Sequence, residues 1–160
     1  MAHRTTTIDR TTELTTEPPV VFAVVNSPET AHLIDPAVHE WSADSRPIGV
    51  GTRFTIRGRL GIVPIRATSQ VVVWDPPRLS EFRSVTPAWP VRMTARHRFE
   101  ERSDGGTEYT WSISFEEVSF VARPIIAILS RLFRRAFAAQ SEALESFLSQ
   151  RGADDPAPAL

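Results

Sequence analysis

From Thr52 to Glu116, segment after segment places an apolar side chain at every second position. In Thr52–Arg59, Phe54 and Ile56 oppose Arg53, Thr55 and Arg57. In Val91–Glu101, Met93, Ala95, His97 and Phe99 oppose Arg92, Thr94, Arg96 and Arg98. In Thr107–Glu116, Tyr109, Trp111, Ile113 and Phe115 oppose Thr110, Ser112 and Ser114. A period of two belongs to strands with one buried and one wetted face. Further strands are expected around Glu40–Asp44, over Ile65–Trp74 and over Leu79–Thr86. Gly49-Val50-Gly51, Asp75-Pro76-Pro77 and Ser103-Asp104-Gly105-Gly106 are the turns between them. An antiparallel run of this kind needs a cover for its apolar side.

One later segment is large enough to supply it. Over roughly Pro124–Gln150, Ile126, Leu129, Phe133, Phe137, Leu144, Phe147 and Leu148 fall near one helical stripe, and Gly152 ends the pattern. Ahead of the strands, Thr5–Thr15 reads as a strand of its own. Pro18-Pro19 then opens a short apolar helix, and Ser27-Pro28-Glu29 opens a second that Pro36 confines to Ile34 or Asp35. The expectation is a single α+β domain over residues 5–150, followed by a disordered tail over 152–160.

Composition removes much chemistry. All 18 basic residues are Arg and there is no Cys, which excludes lysine Schiff bases, a phosphate-loop lysine, thiolate nucleophiles, disulfides and Cys-ligated metals. The formal net charge of −1 argues against a nucleic-acid partner. No run of about 18 apolar residues could span a membrane, and the first residues lack the apolar core of a secretory signal, so a cytoplasmic location is expected. His3, His32, His39 and His97 show no metal-ligand spacing, so no metal and no cofactor is expected. Gly49-Val50-Gly51 begins like a dinucleotide fingerprint, but Phe54 stands where its third glycine belongs. Arg53, Arg57, Arg59, Arg66, Arg92, Arg96 and Arg98, with Glu81, Glu100, Glu108 and Glu116 among them, read as a solvated outer sheet face.

The element order, and the words Pro18-Pro19-Val20-Val21-Phe22, Val73-Trp74-Asp75-Pro76-Pro77-Arg78-Leu79 and Gly105-Gly106-Thr107 followed by Tyr109 and Trp111, resemble the START-related SRPBCC superfamily. Its polyketide cyclase/dehydrase-like members share a helix-grip fold. The resemblance covers about Thr5 to Gln150. It implies a curved antiparallel sheet of about seven strands wrapped around the long C-terminal helix, with a cavity between them. An empty apolar cavity of about 300 Å³ would cost roughly 7 kcal/mol, against about 5–15 kcal/mol of stability for a whole domain. Such a space is either filled by large side chains or kept for ligand or water. The many large inward residues favour a narrow pocket for a flat or slender apolar molecule.

The reading is non-covalent binding of a small hydrophobic ligand (lipid, polyketide or aromatic metabolite) by a carrier or sensor. The expected ligand contacts are Phe54, Phe82, Ser84, Met93, His97, Tyr109, Trp111, Leu129, Phe133 and Phe137. Two alternatives stay open: a cofactor-free cyclase/aromatase or dehydratase with His97 as acid/base and Tyr109 as donor, and an interaction or stress-regulatory module with a vestigial cavity. His97 could equally be a core histidine satisfied by Ser84 or Tyr109. Trp41 and Trp89 either rim a mouth or cover an edge. Pro124-Ile125-Ile126-Ala127-Ile128-Leu129 with Arg131, Arg134 and Arg135, and the apolar loop Leu60–Ile65, suit a peripheral membrane contact or a homodimer, or else burial against the short helices.

Overall fold

Residues 5–86, 91–117 and 120–151 are described by a computed structural model of the chain. The order is β1 (Thr5–Leu14), α1 (Pro18–Asn26), α2 (Pro28–Ile34), β2 (Val38–Ala43), β3 (Arg53–Leu60), β4 (Val63–Asp75), β5 (Leu79–Thr86), β6 (Val91–Glu101), β7 (Thr107–Glu117) and α3 (Ala122–Gln150). The seven strands form one antiparallel sheet in the order β1-β7-β6-β5-β4-β3-β2. The α+β helix-grip architecture is thus as expected. Trp89 and the tail over 152–160 lie outside the described residues.

Two boundaries differ for local reasons. The Leu60–Ile65 stretch is a hairpin tip rather than a loop: Leu60 pairs with Val63 across a two-residue turn, Gly61-Ile62. Gly61 supplies the positive φ of 63° that such a turn asks of its first position, so the ladder resumes at Val63. Helix α3 starts two residues before Pro124, which still sits in the first turn, where no intrahelical N–H bond is lost. Ser27 precedes α2, yet its hydroxyl bonds the Glu29 carboxylate instead of a backbone N–H.

Buried polar links fasten the helices to the sheet. The Ser80 hydroxyl donates to Asn26 Oδ1 (2.7 Å), while Asn26 Nδ2 donates to the Phe22 carbonyl (2.9 Å), tying α1 to β5. Ser141 of α3 accepts from Thr12 (2.9 Å) and Arg10 (3.0 Å) of β1, and donates to the Phe137 carbonyl. Gly58 marks a close crossing: a Cβ there would lie 1.8 Å from the Ala37 carbonyl oxygen, which accepts from the Arg59 N–H.

The apolar interior has two parts. One joins α1, β1, β7 and α3 around Phe22, Phe99, Phe115 and Phe137; the other gathers Ile48, Phe54, Val71 and Phe82 under β3–β5. The space between them is not closed by side chains. On the outer face, Arg57–Glu40, Arg92–Glu116, Arg96–Glu81 and Arg98–Glu100 pair. That matches a solvated sheet exterior.

Candidate functional site

A cavity of about 370 Å³ lies between the sheet's concave face and α3. Its wall is mostly apolar. β3 contributes Phe54 and Ile56, β5 Phe82, β6 Met93 and Ala95, β7 Trp111 and Ile113, and α3 Leu129 and Phe133. Alternation along each strand explains the convergence: these are the side chains of the inner face, and α3 meets them with one stripe. Of the ten residues expected to touch ligand, Phe54, Phe82, Ser84, Met93, His97, Trp111, Leu129 and Phe133 line the cavity. Tyr109 and Phe137 also point inward but stand behind the lining. Phe137 packs 4.0 Å from Trp111, and Tyr109 lies against His97 and Phe99.

Six polar side chains break the apolar surface: Asp35, Arg66, Ser69, Ser84, His97 and Gln140. His97 Nδ1 is 2.8 Å from the Tyr109 hydroxyl. With the phenol donating to Nδ1, the imidazole proton sits on Nε2; with Nδ1 donating to the phenol, Nε2 is left as an acceptor. Burial pushes the imidazole down from 6.5 to about 3, which keeps it neutral. Burial, with the nearby Asp35 charge, also raises the Tyr109 phenol well above its ordinary value. The pair is therefore neutral, and with the phenol as donor it presents one N–H to the cavity. Phe82 meets the ring edge-on at 5.6 Å, and Trp111 stacks on it at 5.7 Å.

Asp35, Arg66 and Gln140 also line the cavity; the strand pattern had set Arg66 on the outer sheet face, and it pointed to neither of the other two. Asp35 follows the last turn of α2, where no periodicity applies. Burial raises its carboxyl from 3.8 to about 6, despite a hydrogen bond from the Ala37 N–H (2.9 Å). Gln140 is 5% exposed, and its amide has no hydrogen-bond partner among the described residues. Its place between Phe137 and Leu144 on the buried stripe is the one signal that could have found it. Ser84 accepts from the Met93 N–H (2.9 Å), which leaves its own proton to donate. Trp41 lines the cavity from β2, and the indole N–H groups of Trp41 and Trp111 have no acceptor among the described residues. Among the described residues, no cluster of three His, Asp or Glu could hold a metal, and no helix is long and apolar enough to cross a membrane.

The exposed members of the lining, Pro64 and Arg66, lie at the sheet end that carries the α2–β2 connection, the β3–β4 tip and the start of α3, so the cavity reaches the surface there. Register places them together: Val38 pairs with Gly58, Thr68 with Thr86 and Val91 with Glu117. Arg66, Pro64 and Asp35 belong to this rim.

Solved structures share the fold. An aromatase/cyclase from Streptomyces sp. R1128 superposes with a TM-score of 0.77 at 14% identity, covering 96% of this chain and 100% of that one. Norcoclaurine synthase from Thalictrum flavum gives 0.71 at 14% identity, covering 92% and 88%. A major latex-like protein from Panax ginseng gives 0.70 at 14% identity, covering 89% and 97%. At such identities the likeness is one of fold. No curated protein sequence matches the chain. The profile of one family does, over residues 5–148, nearly the full length of the helix-grip fold. This chain belongs to the family described as polyketide cyclase/dehydrase and lipid transport.

Proposed function

We propose that the protein binds a small, largely apolar molecule non-covalently in this cavity, as a carrier or sensor, and that the ligand bears an acceptor oxygen at its buried end. Lipids, polyketides and aromatic metabolites all include such molecules. The observation that carries the reading is Gln140: a residue 5% exposed on the helix stripe, lining the cavity, whose amide has no protein partner among the described residues. Leaving a polar group so placed costs about 1–3 kcal/mol unless water or ligand satisfies it. The Ser84 hydroxyl and, with the phenol as donor, His97 Nε2–H add donors on the strand side of the same space. An open cavity also speaks against a vestigial one.

Native mass spectrometry of the protein purified from its own host tests this directly. A retained small molecule is expected, lost or weakened about tenfold in Gln140→Leu through one missing hydrogen bond. A ligand-free spectrum, together with no heat of binding for hydrophobic ketones or fatty acids, would overturn the reading.

A second reading, a cofactor-free cyclase or dehydratase, draws on Asp35. General acid–base groups work best with a pKa near the operating pH, and a carboxyl at about 6 meets that condition where an imidazole at about 3 does not. Asp35 rather than His97 would then move the proton, with His97, held from behind by Tyr109, orienting the substrate. Asp35→Asn is expected to remove turnover of a poly-β-keto substrate while leaving its affinity within about threefold. Equal turnover in Asp35→Asn would discard this role.

A further inference from the structure

The rim of the cavity differs from the rest of the surface. Ile62, at the β3–β4 tip, is 94% exposed, and Val63 beside it is exposed as well. Across the mouth, Phe120 is 84% exposed just ahead of α3, and Ile128 on its second turn is 61% exposed. At about 100° per residue, Ile125, Ile128 and Leu132 fall next to the stripe of Leu129, Phe133 and Ala136 that lines the cavity. The apolar lining therefore continues outward onto the surface.

Charge follows the same boundary. Residues 53–74 and 120–141 contain only Arg among charged types, although the whole chain is slightly acidic. Arg59, Arg66, Arg131, Arg134 and Arg135 have no carboxylate partner among the described residues, whereas Arg96 and Arg98, on the sheet exterior away from this end, pair with Glu81 and Glu100. Of the carboxylates near this end, Glu40 pairs with Arg57 and Glu116 with Arg92, while Asp35 accepts from the Ala37 N–H and has no ion-pair partner among the described residues.

We infer that this end of the molecule docks on an anionic lipid surface, with the β3–β4 tip and the first turns of α3 entering the headgroup layer and the flanking arginines meeting lipid phosphates. Protruding aliphatic and aromatic side chains edged by Arg are the arrangement that binds such an interface. A second copy of the chain fits less well. A two-fold contact on this face would set Arg131, Arg134 and Arg135 against their own counterparts with no carboxylate between. Docking so oriented turns the cavity mouth toward the bilayer, which gives an apolar ligand a route that avoids water.

The test is co-sedimentation of the full chain with phosphatidylcholine vesicles, with and without phosphatidylglycerol, at low and high salt. Binding is expected only with the anionic lipid and is expected to fall as salt rises. Arg131→Gln with Arg135→Gln is expected to weaken it about thirtyfold, from about 1 kcal/mol per arginine. Ile62→Asp with Ile128→Asp is expected to weaken it at least about tenfold. These side chains are exposed, so an unchanged circular dichroism spectrum is expected in both variants. No binding to anionic vesicles, or equal binding by the aspartate variant, would overturn the inference. So would a lipid-free dimer, seen by sedimentation velocity, that the aspartate variant dissolves. Docking does not require an occupied cavity: Gln140→Leu is expected to sediment with vesicles like the parent, so loss of ligand binding and loss of docking are read separately.

Discussion

His97 is held by its neighbours in a state it would not choose in water. Trp111 and Tyr109 flank the ring, Phe82 meets its edge, and the phenol hydrogen-bonds Nδ1. Tyr109→Phe removes that partner and leaves a buried nitrogen unsatisfied, so a loss of about 1–3 kcal/mol in urea melts is expected. Adding His97→Leu removes the orphan, and the double variant is expected to be more stable than Tyr109→Phe alone. If the two losses simply add, the hydrogen bond is not the coupling. The inward direction of His97 was legible from its alternation with Met93, Ala95 and Phe99, and Tyr109 was one of two partners that spacing allowed. That Tyr109 would support the imidazole from behind, instead of meeting ligand, was not legible, because alternation gives a face and not a depth. Asp35 and Gln140 escaped for opposite reasons. One lies where no period runs, and the other is polar where the period asks for an apolar residue.

At the scale of elements, the strands were legible because charged and apolar residues alternate without interruption, and their ends because Gly and Pro stand there. The hairpin tip was missed since an apolar turn reads as loop until Gly61 is seen to take positive φ. How elements are fastened was hidden as well: Ser141 looks like an ordinary polar helix residue, yet it bonds Thr12 and Arg10 across the sheet edge. Ser141→Ala is expected to cost about 1–3 kcal/mol, since it strands the buried Thr12 hydroxyl. Gly58→Ala should be at least as severe, because the methyl meets a backbone carbonyl rather than a movable side chain. Overpacking of this kind costs about 1–3 kcal/mol, and here it is expected to open the α2–β2 corner to proteolysis. A fully protected corner in that variant would contradict the crossing described at Ala37.

For the whole molecule, an unfilled cavity of 370 Å³ would cost about 9 kcal/mol at about 24 cal/mol per Å³, comparable with a domain's entire stability. Ala95→Leu fills part of it and is expected to add about 1 kcal/mol to the ligand-free protein while weakening ligand binding. An unchanged Tm with unchanged affinity would place Ala95 away from the occupied space. Two interior groups also set how stability follows pH. His97 is depressed from 6.5 to about 3, so its contribution is full above 6.5 and lost as pH falls toward 3. Asp35 is raised from 3.8 to about 6, so its contribution is full below 3.8 and lost as pH rises toward 6. Between pH 4 and 6 the two slopes oppose each other. Relative to the parent, Asp35→Asn is therefore expected to gain stability with rising pH across that window by about 1.4 kcal/mol per pH unit, and His97→Leu to lose it at a similar rate. Parallel pH profiles for the three proteins would refute both assignments. Strand order carries one more consequence, for assembly in time. Strands β2 to β7 each pair with their neighbour in sequence, but β1 joins β7 from the far end of the chain, Thr5 opposite Glu116. Closing so long a loop is slow compared with forming hairpins, so the meander is expected to gather first and the first strand to zip on last, together with the helix it holds through Ser141. Amide exchange should then report β1 as the earliest part of the sheet to open, making the chain's first strand a latch on a grip already formed.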